Sequence, residues 1–173
     1  MKKIAVIYKS KYGHTQRYAE WIAEALQAQL YEHAQIKPQQ LSDFDVVVYG
    51  GGLYAGGING VKLVIKNICK RLVLFTVGIA IPADTDYTDI LEKTLTPAQR
   101  EQTKIFHLRG GITYSKLSFL HKMLMAAVKK AAENKPEAER ASDDIGIIKT
   151  YGQDLDFNDR ASIAPLVEYV RSL

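Results

Sequence analysis

Ser10-Lys11-Tyr12-Gly13-His14-Thr15 follows the apolar run Ile4-Ala5-Val6-Ile7-Tyr8 and precedes a run of helical periodicity from Gln16 to Leu30. A buried strand, a short polar loop with one glycine and then a helix is the geometry in which N–H groups at a helix start cradle a phosphate. The loop has no Lys-Ser/Thr pair after a second glycine, so it is not a nucleoside-triphosphate loop. It also lacks the G-x-G-x-x-G pattern of dinucleotide sites. A loop that takes a terminal phosphate without lysine or magnesium suits a mononucleotide monophosphate. A plain strand-to-helix turn capped by Thr15 accounts for the same residues, and at this level both readings stay open.

Outward from that loop, the chain alternates strand and helix signals. Lys3 to Tyr8, Val46-Val47-Val48-Tyr49, Leu72 to Val77 and Lys104 to Leu108 are apolar runs of the kind buried on both faces of a parallel sheet. Ala34 to Lys37, ended by Pro38, is a fifth, weaker strand signal. Tyr18, Ile22, Ala25, Leu26 and Leu30 recur at helical spacing, as do Val61, Val64, Ile65 and Ile68. Thr96-Pro97-Ala98-Gln99 carries an N-cap, a proline in the first turn and a capping-box glutamine, which separates helices at Thr88–Leu95 and Pro97–Gln102. Tyr114 to Asn134 reads as a long helix with the stripe Leu117, Leu120, Leu124, Val128 and Ala131. Glu137 to Asp144 reads as polar loop, Ile145 to Thr150 as a short edge segment and Asp159 to Ser172 as a terminal helix. Strands separated by helices imply an α/β three-layer sandwich around a parallel sheet with right-handed crossovers.

The 173 residues fit a single domain, 1–173, with a substantial core. The hydrophobic share is 47% and the charged share 24%, which is ordinary for a globular chain. A net charge of +4 fits anionic lipids or anionic ligands and carries no specific signal for nucleic acid, which is not expected as a partner. The single cysteine, Cys69, excludes an internal disulfide and a cysteine metal cluster, so a reducing cytoplasm is expected and no metal is. The apolar run after Met1-Lys2-Lys3 is too short for a signal-peptide core or a membrane span.

In a parallel sheet, ligands sit beyond the carboxyl ends of the strands. The loops Ser10–Thr15, Gly50–Gly57, Thr76–Asp84 and Arg109–Tyr114 all belong to that edge. Gly50–Gly57 implies either close backbone approach or positive φ at several positions, and Tyr54 is placed to lie against a planar ring. Each loop taken singly is also explained as a turn; their coincidence at one edge is the stronger signal.

Ser-Lys-Tyr-Gly-His-Thr after the first strand resembles the phosphate loop of flavodoxin-like proteins, with Tyr12 in place of the usual small hydroxyl residue. The strand–helix order resembles theirs throughout, which implies a five-stranded sheet of order 2-1-3-4-5 with helices on both faces. Arg109-Gly110-Gly111-Ile112-Thr113-Tyr114, Leu117, Leu120 and the helix after them resemble the long-chain insert of the menaquinone-dependent protoporphyrinogen oxidase family, here at about 112–135. The resemblance implies FMN as cofactor, its phosphate held by Ser10, Lys11, Tyr12, Gly13, His14 and Thr15. Gly51, Gly52, Leu53, Tyr54, Thr76, Val77, Gly78, Gly111 and Tyr114 would line the isoalloxazine. The flavin would carry the chemistry, so no catalytic side chain is singled out, and His14, His107 and His121 are expected to be structural or solvated.

The resemblance implies an FMN-dependent oxidoreductase that passes electrons from a reduced tetrapyrrole or similar donor to a quinone. A flavodoxin-type electron carrier with a redox partner protein, and a non-redox binding domain on the same fold, are the alternatives. The helix from Tyr114 separates them. Arg109, Lys116 and Lys122 would face an anionic substrate or the inner face of the cell membrane. The plainer reading is an amphipathic helix whose apolar stripe packs on the sheet.

Overall fold

The computed structural model describes residues 2–54 and 56–173, with the side chains of Ser142 and Asp143 set aside. Met1 and Ala55, the latter within the glycine-rich stretch, lie outside the described residues. The chain divides into two compact units, residues 1–110 with 158–173, and residues 111–157. The second unit is longer than the 112–135 segment expected as an insert.

The first unit holds strands β1 (Ile4–Lys9), β2 (Gln29–Glu32), β3 (Val46–Tyr54), β4 (Leu72–Gly78) and β5 (Lys104–Arg109). They pair in parallel in the order β2-β1-β3-β4-β5, the expected topology. Gly57–Ile58 folds back antiparallel on Leu53–Tyr54 at the end of β3. The helices in chain order are α1 (His14–Leu26), α2 (Lys62–Ile65), α3 (Thr88–Thr94), α4 (Pro97–Gln102), α5 (Phe119–Glu133), α6 (Ser142–Thr150) and α7 (Ala164–Ser172). Of these, α5 and α6 belong to the second unit.

Strand periodicity sorts the core into two halves. Val6, Val46, Val48, Val73 and Phe75 face one side, where Tyr18 and Ile22 of α1 and Leu166 and Val170 of α7 cover them. Ala5, Ile7, Val47, Tyr49 and Leu74 face the other, against Leu41, Phe44, Val61, Val64 and Leu95. With both faces covered, the central strands are continuous apolar runs, which is why they are plain in the sequence. Each fully buried large side chain in these layers contributes about 1.5–3 kcal/mol relative to exposure.

Several expectations are corrected. The helix expected to run to Leu30 stops at Leu26, because Gln27 adopts a left-handed cap (φ 50) and its N–H closes on Ala23 and Glu24. That releases Gln29–Glu32 to pair with β1 as the second strand, in place of Ala34–Lys37, where a 3₁₀ turn stands at His33–Gln35. Gly50, Gly51 and Gly52 lie inside β3 rather than in a loop, and none has positive φ. The helix expected from Val61 to Ile68 is a single turn, with Ile68 left exposed. The stretch 145–150 is helical within α6, and the long helix begins at Phe119 after a 3₁₀ turn at Tyr114–Lys116.

Close approach explains the glycines in β3. A Cβ on Gly50 would overlap the ring of Phe75 in β4, and one on Gly51 would come within 2.7 Å of the Asn59 carbonyl oxygen. Gly50→Ala is therefore expected to destabilise the protein by about 2 kcal/mol or more through overpacking. Gly57→Ala, where the nearest atom is 3.9 Å from the new methyl, should stay within about 0.5 kcal/mol of the parent. Denaturant unfolding of the two variants checks both.

Candidate functional site

The loop after β1 ends at Gly13, whose φ of +95° starts α1 from the left-handed region. Among the described residues no side chain caps this helix; the Ser10 hydroxyl accepts from the Gly13 N–H at 3.1 Å, inside the loop itself. Thr15, expected as the cap, instead lies buried in the first turn. A Cβ on Gly52 would stand 3.5 Å from its hydroxyl oxygen, so the start of α1 and β3 are close neighbours. The Lys11 ammonium lies 5.9 Å from the Tyr12 ring centroid and 5.7 Å from that of Tyr54, which is half exposed.

The ends of β4 and β5 join the same edge. Leu53 lies against Gly78, where a Cβ would come within 3.1 Å of Leu53 Cδ1. A Cβ on Gly110 would overlap Val77 and approach His14 Cβ to 3.3 Å, while the Gly110 N–H donates to the Gly78 carbonyl at 2.7 Å. Ser10 to Thr15, Gly51 to Tyr54, Val77 and Gly78 are thus brought together at the carboxyl edge of the sheet, and Gly110 packs there where a Cβ would overlap Val77.

Several expected ligand side chains are already engaged by protein. Thr76 is fully buried and its hydroxyl pairs with His107 Nδ1 at 2.6 Å, so its side chain turns into the sheet. His14 Nδ1 pairs with Asn158 Oδ1 at 2.6 Å, and Asn158 donates back to the His14 carbonyl at 3.2 Å. Arg109 donates through Nε to the Ile79 carbonyl. The Arg109 carbonyl in turn accepts from the Tyr18 hydroxyl at 2.6 Å, and that hydroxyl also accepts from the Asp159 N–H at 3.0 Å. Tyr18 and Asn158 therefore position the loop and the end of β5, a role that helical periodicity alone hides. His107 stacks on Tyr87 with centroids 3.5 Å apart, and burial pushes its pKa down to about 4. Burial raises the Cys69 thiol to about 11, so it is no thiolate nucleophile.

Gly111 and Tyr114 belong to the second unit. Gly111–Ile112 pairs antiparallel with Leu155–Asp156, Ser115 binds Asp154 through its N–H and hydroxyl, and Tyr114 contacts Tyr151 edge-on at 5.3 Å. Helix α5 starts on the Ser118 side-chain cap. The apolar stripe expected to pack is largely turned outward: Leu120 is 70% exposed and Leu124 48%, beside Phe119 at 79% and Met123 at 56%, while Leu117, His121 and Ala132 are buried. Lys122 lies over the Tyr114 ring, and Lys129 lies over the Tyr151 ring and pairs with Glu133. Lys116 is exposed. Among the described residues there is no group of His, Cys, Asp or Glu that could hold a metal, and no helix long and apolar enough to cross a membrane.

A family model for the flavodoxin domain matches residues 5–139. Among solved structures, the chain is similar to a WrbA-like flavodoxin from Agrobacterium tumefaciens, at 18% identity over 99% of both chains with a TM-score of 0.47. It is similar to oxidised flavodoxin 1 from Bacillus cereus, at 14% identity over 62% of this chain and 84% of that one, with a TM-score of 0.46. It is also similar to a flavoprotein in complex with FMN from Lactobacillus acidophilus NCFM, at 12% identity over 63% and 93%, with a TM-score of 0.42. Among curated proteins none matches.

The partly buried His107 makes the fold acid-sensitive. Its pKa is about 4 in the folded chain against 6.5 when free, so between those values the unfolded chain binds more protons. Stability is full above about pH 6.5 and falls as pH drops toward 4. His33, also held low, acts in the same direction, whereas the carboxylates of Asp45, Asp86, Asp144 and Asp154, held low by hydrogen bonds, act at more acid pH. His107→Gln is expected to flatten the slope between pH 6.5 and 4.5 without removing the part due to His33, as measured by urea midpoints across that range.

Proposed function

Taking as premise that the chain belongs to the flavodoxin domain family, we propose that it binds FMN at the carboxyl edge of its sheet and acts as an FMN-dependent oxidoreductase. In this proposal it is similar to menaquinone-dependent protoporphyrinogen oxidase and passes electrons from a reduced tetrapyrrole or similar donor to a quinone. The observation that carries the reading is the convergence of Ser10–Thr15, Gly51–Tyr54 and Val77–Gly78 around glycines whose Cβ positions other atoms occupy or border.

The residues fit the cofactor. A helix of thirteen residues begins at a left-handed glycine with no side-chain cap, so the amides of Thr15 and Gln16 and the positive end of the helix suit a phosphate. Ser10, Lys11, Tyr12, Gly13, His14 and Thr15 would hold that phosphate. Gly51, Gly52, Leu53, Val77 and Gly78 would border the ring, Tyr54 would lie against it, and Thr76 would support this wall from within the sheet. Bound FMN supplies the electron-transfer chemistry; the chain binds it, orients it and shields it from water.

The reaction rests on the second unit. Its helix α5 presents Phe119, Leu120 and Met123 to solvent, a surface suited to a quinone-bearing membrane or an apolar donor. Arg109, Lys116 and Lys122 would attract the anionic groups of the donor. The proposed setting is the cytoplasm, with peripheral contact at the inner face of the cell membrane.

The expected result is that purified protein takes up FMN stoichiometrically, and that Gly13→Val weakens the affinity at least about tenfold by straining the loop. Protein that stays colourless in excess FMN overturns the proposal. Mixed anaerobically with protoporphyrinogen and a menaquinone analogue, the FMN form should produce porphyrin above the uncatalysed rate. No porphyrin formation above the uncatalysed rate would leave the electron carrier as the reading that stands.

A further inference from the structure

An open cleft of about 620 Å³ lies beside Gly56, Gly57 and Gly60, and its lining includes Lys9, His33, Lys62 and Lys93, with no carboxylate in that lining among the described residues. Lys9 is the last residue of β1, on the strand face shared with Ala5 and Ile7, so its stem runs toward α2. Lys62 opens α2 and Lys93 lies near the end of α3. None of these three lysines has an ion-pair partner among the described residues. Ile58 and Val61 give the cleft an apolar floor, both of them buried.

The corner between Lys9 and His33 is held shut by Gly60. This glycine has φ of +72°, and a Cβ on it would overlap Tyr49 Oη, come within 2.7 Å of Lys9 Cδ and within 3.0 Å of His33 Nδ1. The Tyr49 hydroxyl donates to the Asn59 carbonyl at 2.9 Å, so His33 Nδ1 is the donor in its 3.2 Å contact with that hydroxyl. The imidazole is thereby fixed beside the ammonium. Burial lowers the His33 pKa first and Lys9 lowers it further, against a smaller opposing pull from Glu32. The lowered His33 is neutral near pH 7, and the lysines that share the cleft lining, which holds no carboxylate among the described residues, favour a bound anion.

We infer that this cleft is a second ligand site, for a phosphate-bearing small molecule whose anionic oxygens meet Lys9, Lys62 and Lys93 and whose body rests on Ile58 and Val61. Lysines without an arginine fork suit phosphate, which takes point charges, better than planar carboxylate pairs. The volume is that of a small-molecule pocket. The site is distinct from the Ser10–Thr15 loop and stands whether or not FMN is the cofactor.

Pyrophosphate is the probe, titrated calorimetrically into the full chain with and without excess FMN, and citrate is the carboxylate control. Pyrophosphate is expected to bind at millimolar concentration or below, and the exposed-lysine double variant Lys62→Ala/Lys93→Ala to bind at least about tenfold more weakly. In excess FMN, with the Ser10–Thr15 loop occupied, pyrophosphate should still bind, and Gly13→Val should retain this binding. Absence of pyrophosphate binding in excess FMN, or an unaffected double variant, overturns the inference. Citrate binding as tight as pyrophosphate overturns its assignment to phosphate. Failure of FMN to bind at all removes the cofactor reading and leaves the pyrophosphate result standing.

Discussion

The ring of Phe75 fills the place where a side chain on Gly50 would be. This contact seats β4 against β3 at the middle of the sheet, where both strands are fully buried. It also fixes the path of β3 beyond the core. With Gly50 and Gly51 committed to close packing, the strand runs on to Tyr54, and its last residues stand beside the loop after β1. The edge that holds the candidate site is therefore an extension of the core, held in place by the same pairing.

The central strands were legible in the sequence because burial on both faces leaves an unbroken apolar run, and the Thr96–Gln99 cap was legible because its residue types have one common use. The edge strand Gln29–Glu32 was not, since it is polar, mostly exposed and defined by pairing with β1 alone. The end of α1 was equally hidden: Leu30 continues the helical period, and the left-handed turn at Gln27 owes nothing to glycine. At β3 the glycines raised two readings, positive φ or close approach. Their neighbours decide the matter, and the neighbour of Gly50 lies 25 residues further along the chain at Phe75.

The loops of the candidate site were legible as positions, much less so as chemistry. Residue type placed Ser10–Thr15 and Gly50–Gly57 at the ligand edge. It could not tell which polar side chains the protein itself would take up. Thr76 goes to His107, and His14 to Asn158, a partner 144 residues away. Such pairings are set by tertiary register, which no local pattern carries. Tyr18 is the clearest case. Its ring obeys the helical period as a core residue, while its hydroxyl joins the end of β5 to Asp159.

The second unit changes the physical basis of any partner contact. Between Lys104 and Lys135 the sequence is strongly basic, which points to an electrostatic surface. In the folded chain Lys129 pairs with Glu133, Lys135 with Asp144, and Lys122 and Lys129 lie over tyrosine rings. The ion pairs leave less net charge to act at a distance, the ring contact leaves that of Lys122 intact, and salt screens what remains. What α5 presents instead is Phe119, Leu120, Met123 and Leu124, each close to half exposed or more. Burying a Phe or Leu side chain is worth about 1.5–3 kcal/mol, against about 0–1 for a surface ion pair. A contact made through this face would therefore be driven by apolar area, with Lys116 and Lys130 setting its orientation, and would be only weakly sensitive to salt.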